Sequence, residues 1–335
     1  MDNSRIHQGG NVGRSASLTA CLERVLRDAG GQPLSESIHA VLGLSLRMVA
    51  SRSSACAANW PTLGCDHFLL KTCRLFGMRI RELHPPAAAS GLRHYEAFDQ
   101  HFRISYAPLI RAALHHDQVV LAWRGWAGAR TDIWGIITEA SHDGEFGFLG
   151  RTAESASLVV PLERPPVQVY VIESNRPCRP EARELVEAAT LATQAWWSED
   201  VQTEMDLTTG VAAYRLWQCA VEKCSCPDHQ SDAFVCAAAL AGDLYRDRLS
   251  AARFYEFIGD EMGEQKGGPI SSVVASCQRA AYACSEIQSL ASDVSIRNTA
   301  SDRAALVHRI QMAVEADQAA VSAILAVGRT DGKAH

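Results

Sequence analysis

The chain has 335 residues, of which 47% are hydrophobic and 21% are charged, so it can bury a large core and does not have the composition of an intrinsically disordered protein. Its net charge of −6 is unevenly divided: residues 1–130 carry 15 basic and 9 acidic side chains, and the remainder carries 17 and 29. No dense basic tract accompanies the N-terminal excess, so we expect no nucleic-acid partner.

The first residues are polar and contain glycine, without the apolar stretch of a signal peptide. We therefore expect a flexible arm over residues 1–14 and a cytoplasmic protein. No apolar run approaches the roughly 18 residues that cross a bilayer, so we expect no membrane partner. Eleven cysteines in a long chain without an export signal predict buried thiols instead of a disulfide framework.

The next segment predicts three helices. The first starts near Thr19 and ends at Gly30-Gly31, which puts Cys21 close to its first turn. Free backbone N–H groups and the helix dipole would favour a thiolate at that position. If the helix begins earlier, at Ser15 or Ser17, Cys21 is an interior residue and this argument weakens. A second helix follows Ser35, and a third ends at Gly77.

A β-rich region follows the third helix. Met78–Leu83 alternates apolar and polar residues, the period of a half-buried strand. Helical stretches are predicted near Leu92–Phe102 and Tyr106–Leu114. Further strands are predicted at Val119–Trp123, Ile133–Thr138, Phe146–Phe148, Ser157–Val160 and Val167–Ile172. Helices followed by an antiparallel sheet predict an α+β domain over residues 15–175.

From Pro180 onward the pattern is helical only. Apolar residues recur at spacings of three and four, and Gly267-Gly268-Pro269 predicts a turn between two helices. Short loops between long amphipathic helices are typical of an antiparallel bundle. We therefore expect an all-α helical bundle over residues 176–328 and a frayed tail over residues 329–335.

Several short motifs resemble those of papain-like cysteine proteins, in particular the family of the butirosin biosynthesis protein H N-terminal domain. They include a cysteine at an early helix start (Cys21), Leu34-Ser35-Glu36 opening a second helix, and Trp60-Pro61-Thr62 before a third. The remaining motifs are Val119–Trp126, Trp134–Thr138, Tyr170–Glu173 and Gly210–Trp217. The resemblance implies a papain-like α+β domain followed by the helical bundle.

The resemblance also implies a chemistry. Proteins of this kind use the helix-start cysteine to accept an acyl group from a peptide or a carrier thioester. Cys21 would be the nucleophile by position, and a partner histidine would stand at the start of a strand, here Thr131–Trp134. That stretch contains no histidine. His142, in the turn that follows the strand, is the candidate substitute base, and Asp132 is the candidate residue to orient it.

Aromatic residues concentrate around the same strand pair. Trp123, Trp126 and Trp134, with Trp60, are candidates to line an apolar substrate cleft, and Arg124 is a candidate to bind a carboxylate or phosphate. The alternative is that the indoles fill the gap between the sheet and the helical half.

One cluster has metal-ligating residue types: Cys219, Cys224, Cys226 and His229. Thiolates with an imidazole suit zinc, but this spacing is not that of a standard zinc knuckle and no second half accompanies it. We expect neither a metal nor another cofactor.

Two functional hypotheses follow. In the first, Cys21 forms a thioester and the protein is an acyltransferase or peptidase-like hydrolase whose substrate is an acyl carrier or peptide. In the second, the fold is retained as a non-catalytic binding or scaffold protein that recognises a peptide or protein partner. The missing strand histidine favours the second, so whether the chain is an enzyme stays open from the sequence.

Overall fold

The structure is a computed structural model that describes residues 16–51, 66–84, 98–128, 133–141, 146–155, 158–198, 207–223, 233–265, 267–293 and 299–331. The chain forms two compact units. Unit 1 contains the chain up to Val25 together with Met78–Asn175, and unit 2 contains Leu26–Gly77 together with Arg176–His335. The division at residue 175 coincides with the predicted domain boundary, whereas residues 26–77 belong to the helical unit and not to the sheet domain.

The elements, in chain order, match the predicted succession of helices, sheet and helices. The helices are α1 (Ala16–Asp28), α2 (Ser35–Val41), α3 (Asp66–Leu75), α4 (Phe98–His101), a π-helical turn (Phe102–Tyr106), α5 (Ala107–His115), α6 (Ala182–Trp197), α7 (Gly210–Glu222), α8 (Ala233–Met262), α9 (Pro269–Ser292) and α10 (Ala300–Asp331). The strands are β1 (Val49–Ser51), β2 (Met78–His84), β3 (Val119–Trp123), β4 (Trp134–Ala140), β5 (Phe148–Thr152), β6 (Val160–Pro161), β7 (Gln168–Asn175) and β8 (Leu207–Thr209).

The sheet of unit 1 has six strands in the order β2-β7-β3-β4-β5-β6, and every neighbouring pair is antiparallel. β3 is an inner strand: Val120 pairs with Ile137 of β4 on one side and with Val171 of β7 on the other. Beside β2, Glu173 of β7 binds both Arg79 and Arg81 at 2.9 Å. The predicted α+β architecture, with an antiparallel sheet and a following helical region, is confirmed.

The two faces of this sheet bury different side chains, because successive residues of a strand point to opposite faces. Val120 and Ala122 belong to a core that α5 and the π-helical turn cover with Phe102 and Ile110. Trp123, on the opposite face, stacks on Trp134 with ring centroids 6.5 Å apart.

Helix α1 is fixed to the sheet within unit 1 by two hydrogen bonds. The backbone N–H of Trp134 donates to the Ser17 hydroxyl at 3.2 Å, and the Asn175 side-chain amide donates to the Val25 carbonyl at 2.9 Å. The first half of α1 therefore lies beside the start of β4.

Unit 2 is built around long helices that pack side by side: α9 lies against both α8 and α10, and α7 lies against α10. The turn predicted between α8 and α9 is confirmed, with Gly267 at φ +95° and Pro269 as the first residue of α9. β1 and β8 form a separate two-stranded antiparallel sheet.

The core of unit 2 contains charged side chains as well as apolar ones. Arg248 of α8 and Asp317 of α10 are both fully buried and form an ion pair at 2.5 Å. The Tyr214 hydroxyl donates to the same carboxylate at 2.6 Å, and Arg248 also donates to the carbonyls of Ser45 and Arg47. The ionic groups thus have the hydrogen-bond partners that a buried charge requires.

A second buried pair joins α2 to α8 and explains why α2 belongs to unit 2. His39 Nε2 lies 3.1 Å from Asp247 Oδ1, and both side chains are almost completely buried. Asp247 and Arg248 are neighbours in sequence, so α8 directs one charged side chain toward α2 and the next toward α10.

Helix α10 differs from two predictions. Its segment Ala300–Gly328 is long and apolar enough to cross a membrane by length and composition, although core helices of soluble proteins pass the same test. We had expected no such run. The helix also continues through residues 329–331 of the predicted frayed tail, whereas residues 332–335 and the predicted arm at residues 1–14 lie outside the described residues.

Candidate functional site

Cys21 lies inside helix α1 and not in its first turn. The described helix already begins at Ala16, so Thr19 is an interior residue and the predicted start near Thr19 is wrong. Cys21 is 3% exposed, next to Leu22, which is fully buried. The free N–H groups of a helix start, which were the basis for expecting a thiolate, do not reach this position.

The surroundings of Cys21 favour the neutral thiol. Burial raises the pKa of Cys21 from an ordinary value of 9.0 to about 12, and the smaller opposing effect of Arg24 does not compensate. In the part of the chain that the structure describes, no imidazole contributes to this pKa shift. The environment of Cys21 therefore favours a neutral, buried thiol, and its role as a nucleophile stays a prediction.

The start of β4, where a partner histidine would stand, carries apolar side chains. Ile133 is 3% exposed and Trp134 is fully buried, and the Trp134 backbone is bonded to Ser17, one helical turn before Cys21. Asp132 and His142, the candidate orienting residue and base, lie outside the described residues.

The three indoles near this strand pair do not line an open cleft. Trp123 and Trp134 are 0% exposed and Trp126 is 4% exposed, so all three indoles are buried in the core. Trp126 lies directly against Gly135 and Gly150, where a Cβ atom would come within 2.5–2.6 Å of its ring. The absence of a side chain at these two glycines is what admits the indole between the strands. Trp60 lies outside the described residues.

Arg124 follows β3 with a left-handed backbone, φ +66°. Its guanidinium lies 4.5 Å from the centre of the Trp123 ring, a cation–π contact. This contact gives the side chain a structural role at the end of the strand.

The candidate metal cluster is only partly described. Cys219 is an exposed free thiol at the end of α7, and Cys224, Cys226 and His229 lie outside the described residues. Among the residues that are described, no three His, Cys, Asp or Glu side chains are grouped so that they could hold a metal ion.

Unit 2 contains a cleft that the sequence interpretation did not anticipate. Its volume is about 940 Å³, within the range of roughly 300–1,000 Å³ that is common for ligand pockets. It is lined by residues 30–34, which join α1 to α2, by residues 177–180 before α6, and by side chains of α8. Glycines and prolines in both loops were visible in the sequence, but only the fold brings the loops together.

One polar group in this cleft lacks a hydrogen-bond partner. Ser37 of α2 is 2% exposed and lines the cleft, and its hydroxyl has no partner among the described residues. A buried hydroxyl without a partner costs about 1–3 kcal/mol, so a native protein that keeps one gives reason to look for a ligand.

Apolar and charged groups surround Ser37 in the cleft. Leu26, Phe76 and Leu185 are buried side chains of its lining. Arg179 also lines it and forms an ion pair at 2.9 Å with Glu261 of α8, with both side chains substantially exposed.

The sequence matches no protein-family model, and no curated protein matches it. The resemblance to papain-like proteins therefore stays a prediction from short motifs. Functional inference depends on the surroundings of Cys21 and on the cleft of unit 2.

Proposed function

We propose that this chain is a non-catalytic protein of papain-like architecture that binds a peptide or protein partner. The observation that carries the proposal is the burial of Cys21, which is 3% exposed and whose pKa is raised to about 12. The alternative, acyl transfer through a Cys21 thioester, requires the opposite properties at the same atom.

Catalysis by a cysteine requires an ionised thiol and a sulfur atom that the substrate can reach. With a pKa of about 12, roughly one Cys21 side chain in 100,000 is ionised at pH 7. A carbonyl carbon must also approach within about 3.5 Å of the sulfur, but Cys21 is 3% exposed and, unlike the similarly buried Ser37, does not line the cleft of unit 2. The two deficits act together, because the few ionised thiols are also out of reach.

The start of β4 supports the same conclusion. A base at that position would have to accept the thiol proton and return a proton to the leaving group. Trp134 and Ile133, which occupy this place beside α1, do neither. Apolar side chains at the start of β4 stabilise the core of unit 1, but they cannot act as a general base.

Alkylation of the native full-length protein with iodoacetamide, followed by peptide mass spectrometry, tests the proposal. We expect rapid labelling at the exposed thiols of Cys178 and Cys219 and no labelling at Cys21 at pH 7–8. Cys21 should react as fast as the others after unfolding in urea, which serves as the control for peptide recovery.

A thioester probe, such as an N-acetylcysteamine acyl thioester, tests the alternative directly. A stable acyl adduct on Cys21 that is absent from Cys21→Ala, while the exposed thiols stay unmodified, would establish the acyltransferase mechanism and end the non-catalytic proposal. The proposal instead expects the wild type and Cys21→Ala to give the same adduct pattern.

A further inference from the structure

The lining of the cleft of unit 2 offers three kinds of interaction to a ligand. Its volume is about 940 Å³, and every residue that lines it belongs to unit 2. Its lining includes neither Cys21 nor an indole of unit 1, so the proposal for the cleft does not use the chemistry of the cysteine.

The lining includes an apolar surface. Leu26, Phe76 and Leu185 are buried there, Phe257 is partly buried, and Leu34 is 41% exposed at its edge. A large apolar side chain that enters this surface removes its own area and that of Leu34 from water, which stabilises binding.

Ser37 adds a directional contact. Its hydroxyl is 2% exposed, lines the cleft and has no hydrogen-bond partner among the described residues. A hydroxyl both donates and accepts, so a peptide N–H or carbonyl group of a ligand would satisfy it.

Arg179 adds a positive charge that is already held beside the cleft. Its ion pair with Glu261 is exposed, with 74% and 41% of the two side chains accessible, and such pairs contribute little stability. A ligand carboxylate can therefore replace Glu261 at low cost, and the planar guanidinium favours two-point binding of a carboxylate. Arg27 lines the same cleft with an exposed side chain.

We propose that this cleft binds the C-terminal residue of a peptide. A large apolar side chain lies against Leu34 and Phe257, the accessible apolar part of the lining. A main-chain polar group bonds to Ser37, and the terminal carboxylate binds Arg179. The choice of a peptide as the source of the carboxylate rests on the proposed function, whereas the complementarity to an apolar group with a carboxylate rests on the cleft itself.

Fluorescence polarisation with the full-length protein tests this assignment. The probe is an N-terminally fluorescein-labelled Ala-Ala-Ala-Leu peptide with a free carboxylate, and its C-terminal amide is the matched control. We expect saturable binding of the carboxylate probe and binding of the amide that is weaker by about tenfold or more, because the ionic hydrogen bonds to Arg179 are lost.

Three variants assign the contacts. Arg179→Gln should lower the affinity for the carboxylate probe to the affinity for the amide. Glu261→Gln should raise the affinity for the carboxylate probe by about two- to fivefold, because the competing carboxylate is removed. Ser37→Ala should lower the affinity for both probes by about fivefold. Ser45→Ala is the matched control, since its hydroxyl is also buried without a described partner but does not line the cleft.

Several outcomes would overturn the assignment. They are no binding of the carboxylate probe at millimolar protein, equal binding of the amide, or an equal loss in Ser37→Ala and Ser45→Ala. Saturable binding of decanoate in isothermal titration calorimetry, without binding of the peptide, would assign the cleft to a small carboxylic acid and reject the peptide. None of these results bears on the labelling of Cys21, so failure here is distinguishable from failure of the non-catalytic proposal.

Discussion

The two units bury different kinds of polar group. In the described part of unit 1 the buried polar side chains are the uncharged Ser17, Thr19, Thr152 and Gln168. Among the described residues, all buried Asp and Arg side chains lie in unit 2, and so does the buried His39. The buried Asp and Arg residues are Arg47, Asp243, Asp247, Arg248 and Asp317.

The difference shows that burial alone does not decide whether a side chain is ionised. Burial alone would lower the pKa of the Arg248 guanidinium, but the adjacent Asp317 raises it well above its ordinary value, so Arg248 stays charged. Tyr214 and two backbone carbonyls complete the hydrogen bonding of the pair. Cys21 has no equivalent partner among the groups that set its pKa, so its thiol stays neutral. A buried ionisable side chain therefore keeps its charge only where a group of opposite charge is buried beside it.

The largest expected effect comes from breaking the buried pair of unit 2. Asp317→Ala leaves the Arg248 guanidinium charged and buried, so the free energy of unfolding should fall by about 3–5 kcal/mol in urea denaturation. The double variant Arg248→Met with Asp317→Leu should lose less than Asp317→Ala alone, since no unpaired charge remains. An equal or greater loss in the double variant would contradict this account of the pair.

The neutral thiol of unit 1 should appear as a pH dependence of stability. Its folded pKa of about 12 lies above the ordinary value of 9.0, so its contribution is fully present below pH 9 and is lost progressively as the pH rises toward 12. Between pH 7.5 and pH 10 the wild type should lose about 1 kcal/mol more than Cys21→Ala. Cys178→Ala, which removes an exposed thiol, is the control and should follow the wild type.

A smaller effect, of opposite sign, is expected at the two buried serines. Ser37→Ala and Ser45→Ala each remove a hydroxyl that has no described hydrogen-bond partner, so stability should stay unchanged or rise by up to about 1 kcal/mol. Thermal unfolding without ligand measures this. A loss of more than about 1 kcal/mol in Ser37→Ala would mean that the hydroxyl already has a partner within the protein, and would remove the reason for expecting a ligand there.

The smallest effect is expected for exposed ion pairs of unit 2. Arg309 and Glu286 are 2.6 Å apart with 40% and 26% of their side chains accessible. Glu286→Gln should change the free energy of unfolding by less than about 0.5 kcal/mol, because solvent screens the pair. An effect as large as that of Asp317→Ala would show that burial is not what separates the two pairs.

Local patterns predicted most of the secondary structure. Strand Val119–Trp123 has the predicted bounds, because hydrophobic spacing and turn residues act over a few neighbours. The π-helical turn at Phe102–Tyr106 and the pairing of β1 with β8 were missed. A three-residue strand with its partner more than 150 residues away leaves no periodic signal.

The candidate site was less predictable, because its properties are set by tertiary contacts. Sequence spacing placed Cys21 near a helix start, but the helix begins earlier. Burial on the inner side of that helix raises the pKa of the Cys21 thiol, which therefore stays neutral. Likewise, Trp123, Trp126 and Trp134 were visible as a cluster, yet only the fold shows that all three are buried and that Trp126 packs against Gly135 and Gly150. Neither the Ser37 cleft nor the Arg248–Asp317 pair has a local signature.

The pairing of His39 with Asp247 has a consequence for synthesis on the ribosome. The two residues are 208 positions apart, and the chain grows at about 5–20 residues per second. Helix α2 must therefore wait for roughly 10–40 s after its own translation before its buried partner exists. During that interval its apolar side, with Ile38 and Val41, is available to chaperones or to other nascent chains. We expect the yield of folded protein to depend on elongation rate and chaperone supply more than the stability of the finished fold would suggest.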